Sequence, residues 1–143
     1  MQEPIEEGLA KITEIRDSDL KWDEKIAEAI RTHLIIWYDY YGAVFTTTSE
    51  FCIDVNSGMG EHIISLLNQY RVVIADIIQQ GIEAGEIYSD LDPKIMFLGL
   101  LGMCSWMYKW YSQDGPLSVE EIARQFSKMF INGIKTRQLP AKP

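Results

Sequence analysis

Cysteine is scarce in this sequence, and the two that occur do not suit a disulfide framework. Cys52 and Cys104 lie far apart in 143 residues, and no Cys-x-x-Cys motif is present. Lone thiols in a chain with no recognisable signal peptide predict reduced, buried cysteines and a cytoplasmic protein. His33 and His62 lack the short spacings to these cysteines that preorganise a zinc site, so we expect neither a metal nor a cofactor.

Basic residues are in the minority. The chain has 13 Lys and Arg against 21 Asp and Glu, a net charge of −8 at neutral pH. Proteins that bind nucleic acid on their own usually carry a basic patch, and anionic membrane surfaces also select for basic residues. We therefore expect this chain to bind neither nucleic acid directly nor a membrane.

Catalytic motifs are missing as well. The sequence contains no His-Glu-x-x-His or Glu-x-x-His pair, no glycine-rich phosphate loop and no nucleophile elbow, so an enzyme is not expected. Hydrophobic residues make up 47% of the chain, enough at this length for one domain with a buried core. We expect residues 1–137 to form that domain and residues 138–143 to be a frayed tail.

Period-two alternation, the sign of a strand, is absent over any useful length, so the predicted fold class is all-α. Apolar stripes at helical spacing predict helices over about Pro4–Arg16, Asp23–Tyr41 and Glu61–Ala84, then one launched at Asp92-Pro93 and one beginning at Val119.

Local signals mark several helix ends. Gly42 is expected to interrupt the second helix, with Ala43–Phe51 as a short helix or turn. Gly85 is placed to close the third helix in a left-handed conformation. Asp92 is a candidate N-cap, and Ser118 with Glu121 forms the pattern of a capping box before the last helix.

The segment Ile95–Tyr111 is apolar on every side and contains a single charge, Lys109. It is too short and too poorly flanked for a convincing membrane span, so a core helix is the better interpretation. A chain this small covers one face of such a helix with its own core. The other face needs a second partner, most simply another copy, which predicts a homodimer. Helix packing or ligand contact would each explain Gly99 and Gly102.

His33 falls in the middle of the apolar stripe formed by Ile26, Ile30 and Trp37. One interpretation is a core histidine with a single hydrogen bond. The other is a polar anchor in an apolar ligand cavity, since such cavities use few polar groups. Metal ligation is the weakest alternative.

Aromatic residues are unusually dense, especially from Trp37 to Phe51 and from Trp106 to Tyr111. Bulky stripes are more often core than binding site, but polar-tipped aromatics with Met103 and Met107 also suit a pocket for a bulky apolar molecule. Arg71 is either solvated or paired with a carboxylate, unless the ligand is anionic, in which case it is the first cation to test.

The stretch Gly99–Ile134 contains a Trp–Tyr-x-Trp–Tyr segment, a Gly-Pro-Leu-Ser turn and a Glu-Glu-Ile-Ala helix start, and it resembles the C-terminal region of TetR-family transcriptional regulators. The segment Gln79–Ile87, followed by Asp92-Pro93, looks like the junction before the penultimate helix in that family. The resemblance is closest to the branch that regulates fatty-acid, branched-chain or sterol catabolism and senses acyl-CoA esters.

This resemblance implies an all-α homodimer in which the last two helices, Pro93–Tyr111 and Val119–Lys135, form an intersubunit four-helix bundle. The expected dimer-interface residues are Phe97, Leu101, Cys104, Tyr108, Phe126 and Phe130. The resemblance also implies an effector cavity among the preceding helices. The candidate ligand-binding residues are His33, Trp37, Tyr40, Tyr41, Tyr70, Arg71, Ile74, Met103, Trp106 and Met107.

Such regulators begin with a basic helix-turn-helix domain, which is missing from this sequence. The chain is therefore expected to be either a fragment or a free-standing sensor, with DNA binding left to its parent. The leading hypothesis is an effector-binding and dimerisation domain of a TetR-like repressor that senses a hydrophobic small molecule, with an acyl-CoA first. The alternative is a structural helical adaptor that dimerises and binds a protein partner without any cavity.

Overall fold

The computed structural model describes residues 3–47, 58–112 and 114–136, and over these residues it confirms an all-helical fold. The side chains of residues 3–5, of residues 37–47 at the end of α2, of several residues in the first half of α3, and of residues 105 and 108 are not described. The predicted tail, residues 138–143, lies outside the described residues. The helices are α1 (Glu3–Asp17), α2 (Trp22–Thr47), α3 (Gly58–Glu83), α4 (Pro93–Trp106), a short 3₁₀ helix (Met107–Lys109) and α5 (Val119–Ile134).

The predicted helix ends are confirmed by their capping contacts. Gly85 has φ of +74°, the left-handed conformation that ends α3. The Asp92 carboxylate accepts a hydrogen bond from the Lys94 backbone N–H at 3.0 Å, ahead of α4. The Ser118 hydroxyl accepts one from the Glu121 N–H at 3.1 Å, ahead of α5. These caps fix where the last two helices start.

The prediction of a break at Gly42 is wrong, because α2 continues through this residue to Thr47. A glycine inside a helix costs about 1 kcal/mol, which the rest of a long helix readily offsets. Trp37, Tyr40 and Tyr41 therefore lie on the same continuous helix as His33. The rest of the predicted short element, residues 48–51, lies outside the described residues.

The core is built around α2, which contacts α1, α3 and α5. Its aliphatic side chains interdigitate with those of α1 and α3, and a buried aliphatic side chain contributes about 1.5–3 kcal/mol relative to an exposed one. The core residues that are almost completely buried are Ile12, Ile26, Ile30, Leu34, Ile77, Ile78 and Met107.

A buried lysine fixes the C-terminal end of α1. Lys25 is 5% exposed, and its Nζ donates hydrogen bonds to the Arg16 carbonyl oxygen at 2.6 Å and to the Gln80 side-chain oxygen at 2.9 Å. Arg16 also pairs with Asp76 of α3 at 2.9 Å. A buried ammonium group needs such partners, so this end of α1 is held firmly against α2 and α3.

The apolar segment after Pro93 is helical, although it is shorter than predicted: α4 ends at Trp106 and the chain continues as the 3₁₀ turn. One side of α4 packs on α3 and the core, while Ile95 and Leu98 on another side are 63% and 47% exposed. Among the described residues, no helix combines the length and apolarity needed to cross a membrane.

Candidate ligand-binding site

A small apolar cleft lies where α2, α3 and α4 meet. It has a volume of about 30 Å³, whereas pockets for small molecules usually enclose about 300–1,000 Å³. The cleft is therefore closed in this conformation and has room for about two water molecules. Its lining residues are Ala29, Ile30, His33, Ile74, Leu100, Leu101 and Cys104.

His33 is the polar residue of this lining. His33 is half-buried, and desolvation by the surrounding protein lowers the pKa of its imidazole to about 3. The neutral ring offers one N–H donor and one acceptor. His33 is thus suited to bind an uncharged polar group, such as a carbonyl or a hydroxyl, at the end of an apolar molecule.

Tyr70 supports His33 from the neighbouring helix. The two ring centroids are 5.9 Å apart with an interplanar angle of 72°, an edge-to-face arrangement. Tyr70 is 7% exposed, so its position is set by the core. The helical stripes of α2 and α3 thus bring together three of the predicted ligand-binding residues, His33, Tyr70 and Ile74.

The opposite wall carries a thiol. Cys104 lines the cleft from α4 and is 3% exposed, and burial raises the pKa of its thiol to about 12. Such a thiol is unreactive until the cleft opens, since the thiolate is the reactive form. Among the described residues, no three side chains suited to a metal come together.

The remaining predicted ligand-binding residues lie elsewhere or are not described. Arg71 lines a separate depression between α1 and α3, with Leu9 and Thr13. Trp106 is 61% exposed on the outside of α4, and Met107 is fully buried in the core. Met103 is partly buried against the core. The side chains of Trp37, Tyr40 and Tyr41 lie outside the described residues.

The predicted dimer-interface residues on α4 are buried or partly buried within their own chain. Phe97 and Cys104 are 7% and 3% exposed because they pack into the core of their own chain, and Leu101 is partly buried beside the cleft. Side chains already buried this way have little surface left for a partner. Phe126 and Phe130 are half-buried on α5. The side chain of Tyr108 lies outside the described residues.

Another face of α4 and the adjoining surface expose large apolar side chains instead. Isolated exposed apolar residues are ordinary, but several together usually mark an interaction surface. We call this set the outer face. It consists of Ile95 (63% exposed), Leu98 (47%), Trp106 (61%) and Trp110 (49%). On the α5 side, Met129 is 60% exposed, and Trp110 packs edge-to-face on Phe126 with ring centroids 6.2 Å apart.

Sequence reasoning misses the α4 side of the cleft. It does not single out Leu100, and it assigns Leu101 and Cys104 to the dimer interface. The available signal is their spacing of three to four residues, which places them along one side of a helix. The spacing alone does not show whether that side of the helix faces the cleft or a partner chain.

Comparison with known proteins identifies the family. Residues 19–134 match the model of the tetracyclin repressor-like C-terminal domain. The chain belongs to this TetR family. Proteins of this family are transcriptional regulators and not enzymes.

A curated relative is the HTH-type transcriptional repressor KstR2 of Mycolicibacterium smegmatis, with 29% identity over 70 residues, 49% of this chain and 34% of the relative. The matched segment thus spans about a third of the relative's length. The structure of the ketosteroid transcriptional regulator KstR2 of Mycobacterium tuberculosis aligns with a TM-score of 0.73 and 18% identity over 94% of this chain and 68% of that one.

A second solved structure is the transcriptional regulator FadR of Bacillus subtilis in complex with stearoyl-CoA. It aligns with a TM-score of 0.72 and 17% identity, covering 93% of this chain and 72% of that one. At these identities the two structures establish the TetR-like all-α fold of the chain.

Proposed function

We propose that this chain is the effector-binding and dimerisation domain of a TetR-like transcriptional repressor, and that its effector is a hydrophobic small molecule with an acyl-CoA ester as the first candidate. The observation that carries the proposal is the cleft between α2, α3 and α4, whose apolar lining contains one neutral histidine. An apolar pocket with a few polar groups is the usual form of a small-molecule site.

An acyl thioester matches this lining. The apolar walls suit an acyl chain, and the His33 N–H suits the thioester carbonyl oxygen. FadR of Bacillus subtilis, a structural relative, holds stearoyl-CoA. Arg71 lines a separate depression, so we assign it no contact with the acyl chain. It remains the first cation to test for the anionic part of the ligand.

Binding requires the cleft to expand well beyond its present volume of about 30 Å³. A ligand that fits only the expanded form shifts the population toward it, by as much as its affinities for the two forms differ. In a longer protein with a helix-turn-helix domain, this shift would release operator DNA. A cytoplasmic location is part of the same proposal.

We propose the outer face as the dimer interface. Its exposed aromatic and aliphatic side chains provide the kind of anchors on which protein interfaces depend. A second copy of the chain is the partner that fits, because TetR-family regulators act as dimers. This replaces Phe97, Leu101 and Cys104 by Ile95, Leu98 and Trp106 in the proposed interface.

Calorimetric titration with acyl-CoA esters of increasing chain length, from isovaleryl-CoA to stearoyl-CoA, tests the ligand. We expect binding by the wild-type chain and at least about tenfold weaker binding by His33→Phe, which loses the hydrogen bond to the ligand. Arg124→Gln, on the exposed side of α5, is the matched control and should bind normally.

Two outcomes would contradict the proposal. Binding of none of the esters would reject the acyl-CoA ligand and favour the adaptor hypothesis, in which the cleft is only a packing defect. Equal affinity of the wild type and His33→Phe would show that the ligand binds outside the cleft.

A further inference from the structure

Tyr70 lies between His33, a lining residue of the cleft, and α1. Its ring packs edge-to-face with that of His33, with the centroids 5.9 Å apart. At the other end, the hydroxyl lies against the backbone of Gly8 in α1, so closely that a Cβ on residue 8 would overlap the hydroxyl oxygen. A single buried side chain thus touches both the polar residue of the cleft and the backbone of another helix.

We propose that Tyr70 is a positioning residue that transmits the expansion of the cleft to α1 at Gly8. The inference rests on the proposed function, because it takes the cleft as the effector site. Gly8 is required for this role, since only a residue without a side chain lets the hydroxyl seat directly on the helix.

The side chain of Tyr70 is suited to transmit a displacement. A tyrosine ring is planar and rigid, with only two side-chain torsions. Close-packed interiors resist compression and pass strain on to their neighbours. A ligand that pushes His33 aside must therefore move the Tyr70 ring, and the ring in turn presses on α1.

The two ends of α1 are held differently, so this pressure would tilt the helix. The C-terminal end is fixed at Arg16 by Lys25, which donates to the Arg16 carbonyl oxygen at 2.6 Å. Gly8 lies eight residues earlier, about 12 Å along the helix axis. A push at Gly8 acts on this lever arm and tilts the N-terminal half of α1 about the fixed end.

A double-mutant cycle in the ligand-free chain tests the contact. In Gly8→Ala the new methyl group collides with the Tyr70 hydroxyl, so we expect the ring to shift toward His33 and the cleft to open more often. In the Gly8→Ala, Tyr70→Phe variant the collision with the hydroxyl is removed, because the Cζ atom of the ring lies 3.5 Å from the position that the new Cβ would take. The other close neighbour, Ile36 Cδ1 at 3.2 Å, is the same with Tyr or Phe at residue 70.

Opening of the cleft is measured by the labelling rate of Cys104 with a small thiol reagent, followed on its own peptide by mass spectrometry. We expect Gly8→Ala to raise this rate about tenfold, equivalent to about 1.4 kcal/mol in the opening equilibrium. The double variant should return to within about twofold of Tyr70→Phe alone. A rate that Gly8→Ala leaves unchanged, or that the added Tyr70→Phe substitution does not restore, would overturn the proposal.

Ile12→Ala is the matched control. It loosens α1 by removing a buried side chain, 1% exposed, from the same helix without adding an atom near the hydroxyl. Any effect of this variant on Cys104 should be the same with Tyr or Phe at residue 70. If Tyr70 had only a structural role, the effect of Gly8→Ala on Cys104 labelling would also be the same with Tyr or Phe at residue 70.

A second arm uses hydrogen exchange of the α1 amides with and without stearoyl-CoA. We expect the ester to change exchange in the first half of α1 in the wild type. In Tyr70→Phe, compared at an ester concentration that saturates each protein, the α1 response should fall by at least about half. An undiminished response would overturn the role of Tyr70, whereas failure of the wild type to bind would reject only the ligand proposal. This arm needs no substitution of Gly8, so it remains decisive if Gly8→Ala does not fold.

Discussion

The two faces of α4 are both apolar, but their surroundings differ. Leu100 on the inner face is 6% exposed and packs on the core, whereas Leu98 on the outer face is 47% exposed. The inner face forms a wall of the cleft, and the outer face is available to a second copy. An apolar side chain therefore identifies a buried or partnered position, but only the packing of the neighbouring helices shows which of the two it is.

The largest expected difference between the faces is in folding stability. Leu100→Ala should lower the free energy of unfolding by about 3 kcal/mol, because it leaves a cavity in the core. Leu98→Ala should lower it by less than about 1 kcal/mol in dilute monomer. Urea unfolding at low protein concentration measures both. Equal losses in the two variants would abolish the distinction between the faces.

A charge on the outer face should break the dimer. We expect Trp106→Glu to weaken self-association about 100-fold, since it removes a large apolar contact and buries a carboxylate at the proposed interface. Analytical ultracentrifugation over a range of concentrations measures the dissociation constant. Ala10→Glu adds the same charge to the exposed side of α1 and should associate normally. A wild-type chain that is monomeric at micromolar concentration would refute the interface.

The helix ends could be predicted because their signals are local. Ser118 and Asp92 cap helices with hydrogen bonds to residues two or three positions away, and Gly85 has the left-handed φ that its position suggested. The prediction at Gly42 is wrong for a related reason. The free-energy cost of this glycine, about 1 kcal/mol, depends only on the local sequence. The packing that offsets this cost along a 26-residue helix involves residues that are distant in sequence.

The candidate site could be predicted on two of its three walls. His33 and Ile74 lie on apolar stripes bounded by polar positions, so the sequence indicates which way these side chains face. The assignment of Leu101 to the dimer interface stays a prediction, and its place in the lining of the cleft could not be predicted because α4 has no polar side to orient this residue. Its orientation depends on contacts with α2 and α3, which are distant in sequence, and no local pattern encodes them.

The stability of the cleft, which the inner face of α4 helps to form, should also depend on pH through His33 of α2. Burial lowers the pKa of His33 from its ordinary value of 6.5 to about 3. Between these values the unfolded chain binds a proton at this residue and the folded chain does not. The contribution to stability is thus complete above about pH 6.5 and is lost progressively as the pH falls toward 3.

The measurement compares unfolding free energies of the wild type and His33→Gln at pH 7 and pH 5. Because His33 is half-buried at the cleft, we expect the wild type to lose about 1–2 kcal/mol more than the variant over this interval. An outer-face control, Trp106→Phe, should keep the wild-type dependence. Parallel pH profiles of wild type and His33→Gln would mean that His33 is not protected from protonation in the folded state.

The smallest expected effect is on folding stability, in a comparison of alanine substitutions at Gly102 and Gly81. At Gly102, on α4, a Cβ would meet no atom of the described residues within 4 Å, whereas at Gly81 it would crowd Trp22 at 2.7 Å. Gly102→Ala should therefore stabilise the monomer by about 0.5–1 kcal/mol through helix propensity. Gly81→Ala should destabilise it, because the indole of Trp22 is buried and cannot move aside.

Self-association of the Gly102→Ala variant then tests whether a partner helix occupies the open space at Gly102. If a partner helix approaches α4 closely at this residue, the added methyl group must weaken the dimer severalfold. The same methyl group makes the monomer more stable, so the two effects have opposite signs. Thermal unfolding in dilute solution and sedimentation at high concentration measure the two effects separately. A Gly102→Ala variant that dimerises as well as the wild type would exclude close helix approach there and shift the proposed contact toward Trp106 and Trp110.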